Sequence, residues 1–204
     1  INKIVYPGRS MANADGKIIF TDQGLPGELV NVRIIKEKKN YADAETLSVI
    51  KPSPHRIEPR CEHYKICSAY QPISYPLQLD IKNMQIKEIF LKELGMQVKE
   101  NLIMPSPVQW GYRNKARLKV LWNNSQPHLA YNLPDSTDRY AQIDKCFLLS
   151  NTINSSLADL LDKIKLEKLT SVEEILIRES ADGKKVLFDF GLNSPKDEDF
   201  LTEH

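Results

Sequence analysis

A chain of 204 residues can form one large domain or two small ones, and 41% apolar with 27% charged residues is ordinary for a globular protein. No apolar run approaches the length of a membrane span and nothing at the start reads as a signal peptide, so a cytoplasmic protein with no membrane contact is expected. The net charge of +1 excludes a chain that is strongly basic or acidic as a whole, but it hides local excess. Residues 1–60 carry ten Lys/Arg against seven Asp/Glu, residues 107–150 six against three, and residues 151–204 seven against twelve. Local positive charge is what a phosphate partner meets, whereas the total governs mainly solubility.

The first fifty residues read as short strands. Alternating or β-rich runs at Lys3–Tyr6, Lys17–Phe20, Glu28–Lys36 and Ala42–Ile50 are separated by turn-forming stretches, Asp15-Gly16 and Gly24-Leu25-Pro26-Gly27. Asp-Gly between such runs signals a hairpin. Four or five short strands with no helix between them predict a small closed β-barrel over residues 1–57, since closure removes unpaired sheet edges. Within Lys51-Pro52-Ser53-Pro54 the prolines interrupt helix and strand alike. Residues 58–76 are irregular and hold Cys61 and Cys67. Residues 77–106 contain a helix, Gln78–Leu94, whose apolar face is too broad for a lone surface helix, with Gly95 as its stop. Residues 107–204 alternate: strands near Arg113–Trp122 and His128–Leu133, a helix near Asn151–Leu166, and a hairpin of Glu174–Arg178 with Lys185–Phe190 around Asp182-Gly183. The expected fold class is thus a small β-barrel followed by an α+β domain.

A self-contained catalytic centre is hard to find. The eight glycines, at 8, 16, 24, 27, 95, 111, 183 and 191, include no G-x-G pair, no phosphate-binding G-x-x-x-x-G-K and no G-x-S-x-G elbow. The four histidines offer no helical His-x-x-x-His pair for a zinc hydrolase.

Two segments carry residues suited to an anionic polymer. In Lys36-Glu37-Lys38-Lys39-Asn40-Tyr41, the cations Lys36, Lys38 and Lys39 can meet phosphates while Tyr41 stacks on a base; the alternative is a solvated charged turn. In Tyr112–Lys119, strand alternation places Arg113, Lys115, Arg117 and Lys119 on one face at roughly 6–7 Å spacing. That row suits a ribose-phosphate backbone, and no carboxylate interleaves it in sequence; the alternative is the exposed face of a half-buried sheet. Trp110 and Trp122 are expected to pack rather than stack. The three cysteines, Cys61, Cys67 and Cys146, are odd in number and argue against a disulfide framework, leaving structural thiols or metal ligands.

The order of these motifs resembles the uracil-C5 RNA methyltransferase family. The resemblance rests on Gly24-Leu25-Pro26-Gly27-Glu28 with Lys36–Ala42, on Pro52-Ser53-Pro54-His55-Arg56 running into Cys61-x5-Cys67-x2-Tyr70-Gln71, and on Trp110-Gly111-Tyr112-Arg113-Asn114-Lys115-Ala116-Arg117-Leu118 with Asp144-Lys145-Cys146-Phe147-Leu148-Leu149 downstream. It implies an N-terminal TRAM domain, an RNA-binding β-barrel, then a cysteine-bearing central domain that positions ribosomal or transfer RNA. It also implies a third domain that binds S-adenosylmethionine and supplies the nucleophilic cysteine and general base. Residue 204 falls near where that domain should begin, so these residues alone are expected to bind RNA without methylating it. Helix 78–94 is then expected to pack on the absent domain, or to self-associate through an exposed apolar stripe. Family members place four cysteines around a [4Fe–4S] cluster. Here Cys61, Cys67 and Cys146 match three of them and Tyr70 takes the fourth place. Three states stay open: a cluster with one iron lacking its thiolate, a zinc site from Cys61, His63, Cys67 and Cys146, or reduced thiols packed together. Two rivals to the methyltransferase reading are a stand-alone TRAM-type RNA-binding or regulatory protein and a protein–protein adaptor that uses the helix.

Overall fold

A computed structural model describes residues 1–99, 103–133 and 139–203, gathered in two compact units, Ile1–Pro105 and Ser106–His204. Residues 100–102 of the expected helix-and-linker segment, and His204, lie outside the described residues.

The first unit is built on five strands: β1 (Lys3–Val5), β2 (Arg9–Ala14), β3 (Lys17–Thr21), β4 (Leu29–Glu37) and β5 (Tyr41–Lys51). They lie in the order β1-β2-β3-β5-β4, antiparallel except for β3 and β5, which run parallel. Asp15 and Gly16 join β2 to β3 at positive φ (51° and 82°), the turn whose twist matches its strands, and Asn13 Oδ1 accepts from the Gly16 N–H at 3.0 Å. Strand β2 has no counterpart among the expected runs. Arg9-Ser10-Met11-Ala12-Asn13-Ala14 contains no β-branched or aromatic residue, and its ladders to β1 and β3 supply what propensity does not.

The expected closed barrel does not form. Strands β1 and β4 stand at the two ends of the order, with no ladder between them among the described residues. Ile1 spans that seam with two main-chain bonds: its nitrogen donates to the Glu28 carbonyl at 2.6 Å, and its carbonyl accepts from the Gly27 N–H at 2.9 Å. A three-residue β1 is too short to zip a nine-residue β4. The open edge is blunted by irregularity instead. Register breaks at Leu29/Val30, Asn31/Val32 and Ile34/Lys36 twist β4, and Arg33 and Lys36 place charge on it.

One buried carboxylate fastens the seam to the connector. The Glu28 side chain is 0% exposed; its Oε1 accepts from Arg56 Nε at 2.7 Å and the Ser53 N–H at 3.0 Å. Its Oε2 accepts from Arg56 Nη2 at 2.7 Å and the Leu25 N–H at 2.7 Å. The two stretches Gly24–Glu28 and Pro52–Arg56, separate in sequence, are therefore the two halves of one clamp. Beside it lies the unit's small apolar cluster of Ile4, Leu25, Ile73 and Ile81, flanked by Tyr70 and Leu77.

That cluster ties the cysteine-bearing segment and its single helical turn, α1 (Tyr64–Cys67), and the long helix α2 (Tyr75–Leu94) to the sheet. Helix α2 starts three residues before the expected Gln78 because Pro76 is suited to a first turn. Ile81 is buried, Gln85 Nε2 donates to the Ile4 carbonyl at 2.9 Å, and Lys3 pairs with Glu88 at 2.7 Å. Met84, Ile89, Leu91 and Leu94 remain exposed. Gly95, at φ 66°, ends the helix, its N–H donating to the Leu91 carbonyl.

The second unit holds an antiparallel sheet of β6 (Lys115–Asn123), β7 (Gln126–Asn132), β8 (Tyr140–Ile143), β9 (Val172–Glu179) and β10 (Val186–Leu192), in the order β10-β9-β6-β7-β8. Helix α3 (Asn151–Leu166) covers one face. Ser150 caps it by accepting from the Ile153 N–H at 3.1 Å, and Ile153, Leu157 and Ile164 enter a core with Leu118, Leu129, Ile175 and Ile177. A short 3-10 turn (Pro195–Asp197) and α4 (Glu198–Glu203) follow β10, and buried Asp197 accepts from the Ser171 N–H and hydroxyl at 2.8 and 2.7 Å. The sheet's other face carries the β6 cations. No helix among the described residues is long and apolar enough to cross a membrane.

Burial alone would raise the Glu28 carboxyl's pKa, but the Arg56 hydrogen bonds, the Ser53 and Leu25 N–H groups and the Arg56 charge outweigh it and hold it below the ordinary glutamate value. A folded pKa below the unfolded one gives stability that is complete above the unfolded value and fades as pH falls through the folded one. Glu28→Ala is therefore expected to lose about 1–3 kcal/mol at neutral pH, because the partly buried Arg56 and the Leu25 and Ser53 N–H groups lose their acceptor. Urea denaturation checks this, and the gap to the parent chain should narrow in acid.

Candidate nucleic-acid interface

In the first unit, Lys36–Tyr41 forms the end of the β4–β5 hairpin, closed by a Lys38 N–H bond to the Tyr41 carbonyl at 2.8 Å. Lys36, Lys38 and Lys39 are all exposed. The Lys38 ammonium lies 5.0 Å from the centre of the Tyr41 ring, and its hydrogen bond to Tyr41 holds its pKa above the ordinary lysine value, so it stays cationic. Lys36 and Lys39 make no ion pair among the described residues, whereas Glu37 is taken by Lys17.

Two residues outside the sequence expectation join this surface. Phe20 meets Tyr41 edge to face, ring centroids 6.0 Å apart, and the Arg9 guanidinium sits 5.1 Å from the Phe20 centroid while bonding Asp43 at 2.7 Å. The parallel pairing of β3 with β5, which sets Ile18 beside Tyr41 and Phe20 beside Asp43, brings them together. No local sequence pattern announces a parallel pairing across nineteen intervening residues (22–40), so Arg9 and Phe20 were not legible. The result is two half-buried rings, each with a cation over it.

In the second unit, Lys115, Arg117 and Lys119 lie on one face of β6 while Ala116, Leu118 and Val120 are buried on the other. Arg113 precedes the strand; its N–H donates to the Leu148 carbonyl at 2.8 Å and its carbonyl accepts from the Ser150 N–H at 3.1 Å. No carboxylate interleaves this row in sequence, but the neighbouring strand brings one to it. Glu174 on β9 stands opposite Lys119, and its two oxygens accept from Arg117 Nη1 at 2.7 Å and Lys119 Nζ at 3.2 Å. Farther along, Lys115 stands opposite Arg178 and both are exposed. Trp110 and Trp122 pack against the second unit's core.

The cysteines fall in both units. Cys61 Sγ is 3.5 Å from His63 Nδ1, Cys67 Sγ donates to the His63 carbonyl at 3.5 Å, and Cys146 is buried in the second unit, its N–H donating to Asn154 Oδ1 at 3.1 Å. Tyr70, at the fourth cluster position, is half-buried, and burial raises its phenol pKa despite the Gln85 hydrogen bond. A neutral phenol engaged with Gln85 at 3.0–3.2 Å is no substitute for a thiolate. Gly8 approaches that ring so closely that a Cβ there would lie 3.3 Å from it. Among the described residues no three His, Cys, Asp or Glu side chains gather to hold a metal; Cys61, His63 and Cys67 belong to the first unit and Cys146 to the second.

A β-rich unit bearing cations and rings is followed by an α+β unit with a cationic sheet face, and residues 1–47 of the first match the TRAM domain family. A 23S rRNA (uracil(1939)-C(5))-methyltransferase RlmD from Shewanella amazonensis is 31% identical over 171 residues, covering 81% of this chain and 39% of its own length. One from Nitrosococcus oceani is 35% identical over 125 residues, covering 59% and 28% respectively. The crystal structure of Pyrococcus abyssi tRNA (uracil-54, C5)-methyltransferase in complex with S-adenosyl-L-homocysteine shares the fold, with a TM-score of 0.59 at 21% identity over 93% of this chain and 48% of that one. The chain carries a TRAM domain and is homologous to the uracil-C5 RNA methyltransferases, spanning about two fifths of the first relative's length.

With a neutral phenol at the fourth position, chain purified anaerobically is expected to lack a full [4Fe–4S] complement of iron and labile sulfide. Elemental analysis with a sulfide assay measures this, and stoichiometric iron and sulfide would reinstate the cluster.

Proposed function

We propose that this chain forms the RNA-recognising portion of an S-adenosylmethionine-dependent RNA uracil-C5 methyltransferase, acting in the cytoplasm on structured ribosomal or transfer RNA. The observation that carries the reading is the 171-residue similarity to a 23S rRNA uracil-C5 methyltransferase. The two cationic surfaces give it a physical basis. On the first unit, Lys36, Lys38 and Lys39 meet phosphates while Tyr41 and Phe20 offer ring faces to unpaired bases, a mode of contact that tolerates sequence. On the second, Lys115, Arg117 and Lys119 line a strand face for the ribose-phosphate chain, with Arg113 just before the strand. Phosphate contacts position an RNA without selecting its sequence, so choice of the target uracil belongs to other contacts.

Methyl transfer itself needs a nucleophile and a place for S-adenosylmethionine, and no nucleotide-type glycine loop occurs in these 204 residues. They are expected to bind RNA without incorporating methyl groups.

The test is charge reversal of Lys38, Lys39, Arg113 and Arg117 together, followed by filter retention of a labelled ribosomal RNA fragment. The parent chain is expected to retain RNA with a log–log salt slope of about 0.7 per single-strand phosphate neutralised. The variant should lose at least about tenfold in affinity, equivalent to some 1.4 kcal/mol. Unchanged retention in low salt would remove the RNA reading.

A further inference from the structure

The cation row on β6 has two halves that differ in their cross-strand partners. At one end Lys115 faces Arg178, both exposed and both positive. Like charges directly opposite on neighbouring strands destabilise a sheet, and neither Lys115 nor Arg178 takes part in an ion pair among the described residues; Asp189 of β10, on the same face, stands opposite Leu176. An arrangement of that kind is satisfied by an anion from outside. At the other end the same strand carries Arg117 and Lys119, and there an anion is already present. Glu174 Oε1 takes Arg117 at 2.7 Å and Oε2 takes Lys119 at 3.2 Å, two oxygens on two cations, as the two non-bridging oxygens of a phosphodiester would bind.

The backbone makes room for this carboxylate. Gly191 on β10 stands opposite Glu174, and a Cβ at Gly191 would come within 3.0 Å of the Glu174 Cβ, tighter than ordinary packing. Glu174 is mostly screened from solvent, at 23% exposure, whereas Arg117 keeps 66% of its side chain exposed and so can turn toward an incoming ligand.

Resting on the RNA-binding reading above, we infer that Arg117 and Lys119 form a phosphate subsite that Glu174 occupies in the unbound protein, so that RNA binds there only by displacing it. Glu174 is then a specificity residue of an unusual kind. It leaves Lys115 and Arg178 open to any polyanion, but holds the other half of the row for an RNA whose remaining contacts are strong enough to exchange one anion for another. A short or poorly fitting strand gains only the open half.

Glu174→Gln keeps the shape of the side chain and removes its charge, and the 204-residue chain serves as the test protein. Affinity for a labelled single-stranded oligoribonucleotide is measured by fluorescence anisotropy across a salt series. Four variants are compared with the parent: E174Q, E173Q, K115Q/R178Q, and E174Q combined with R117Q and K119Q. E174Q is expected to bind at least about threefold tighter, as loss of two exposed ion pairs permits. Its salt slope should steepen by up to about 0.7, the value for the one phosphate that Arg117 and Lys119 share. The gain should vanish in the triple variant, and E173Q, an equal change of net charge on the adjacent residue, should not reproduce it. Weaker or unchanged binding by E174Q, or an equal gain from E173Q, overturns the inference. Failure of the broader reading looks different: parent-level binding would then survive K115Q/R178Q and show no salt dependence.

Discussion

A guanidinium or a carboxylate left alone inside a protein carries a penalty of several kcal/mol, so Glu28 and Arg56 each make sense only in the presence of the other. Their bidentate contact, together with the Leu25 and Ser53 N–H groups, fixes where the first sheet ends and where the Pro-rich connector leaves it. The seam between β1 and β4, which two main-chain bonds from Ile1 cross, is set at the same point because those bonds land on Gly27 and Glu28. Helix α2 and the cysteine-bearing segment reach the sheet through the side chain of Leu25, whose N–H belongs to the clamp, and its apolar neighbours. The unit has a small apolar core and depends correspondingly on this polar junction.

What was legible in the sequence divides by range of interaction. The Asp15-Gly16 hairpin, the Gly95 stop, the α3 boundaries and the alternation of β6 are local signals, and the structure has them in place. The failures are contacts between strands distant in sequence. A closed barrel was inferred from strand count, but closure depends on lengths and registers, and β1 is three residues long. The cationic row was read along a single strand, and Glu174 enters it from β9, fifty-five residues after Lys119. Phe20 and Arg9 were missed for the same reason. The Gly24–Glu28 and Pro52–Arg56 stretches were noticed as family marks; their physical role is the Glu28 clamp, which no reading of either stretch alone could supply.

Chemistry also separates this chain from its family pattern at one position. Where the resemblance implies a fourth thiolate, Tyr70 contributes a neutral phenol bonded to Gln85, whose amide also donates to the Ile4 carbonyl. The link from the cysteine-bearing segment to α2 and β1 is therefore made by hydrogen bonds and a ring packed on Gly8. Both units place their cations on open strand or hairpin surfaces, while the excess acid of residues 151–204 brings the net charge to +1. Positive potential is thereby confined to particular faces rather than spread over the molecule.

Photo-cross-linking with RNA containing 4-thiouridine, followed by peptide mass spectrometry, asks most directly where the ribose-phosphate chain lies. Cross-links should concentrate in the hairpin around Lys36–Tyr41, in β3 at Phe20, and in the segment 113–119, and should be competed away by unlabelled RNA. Cross-links confined to other segments, or none that unlabelled RNA removes, would contradict the assignment of these surfaces as the RNA grip.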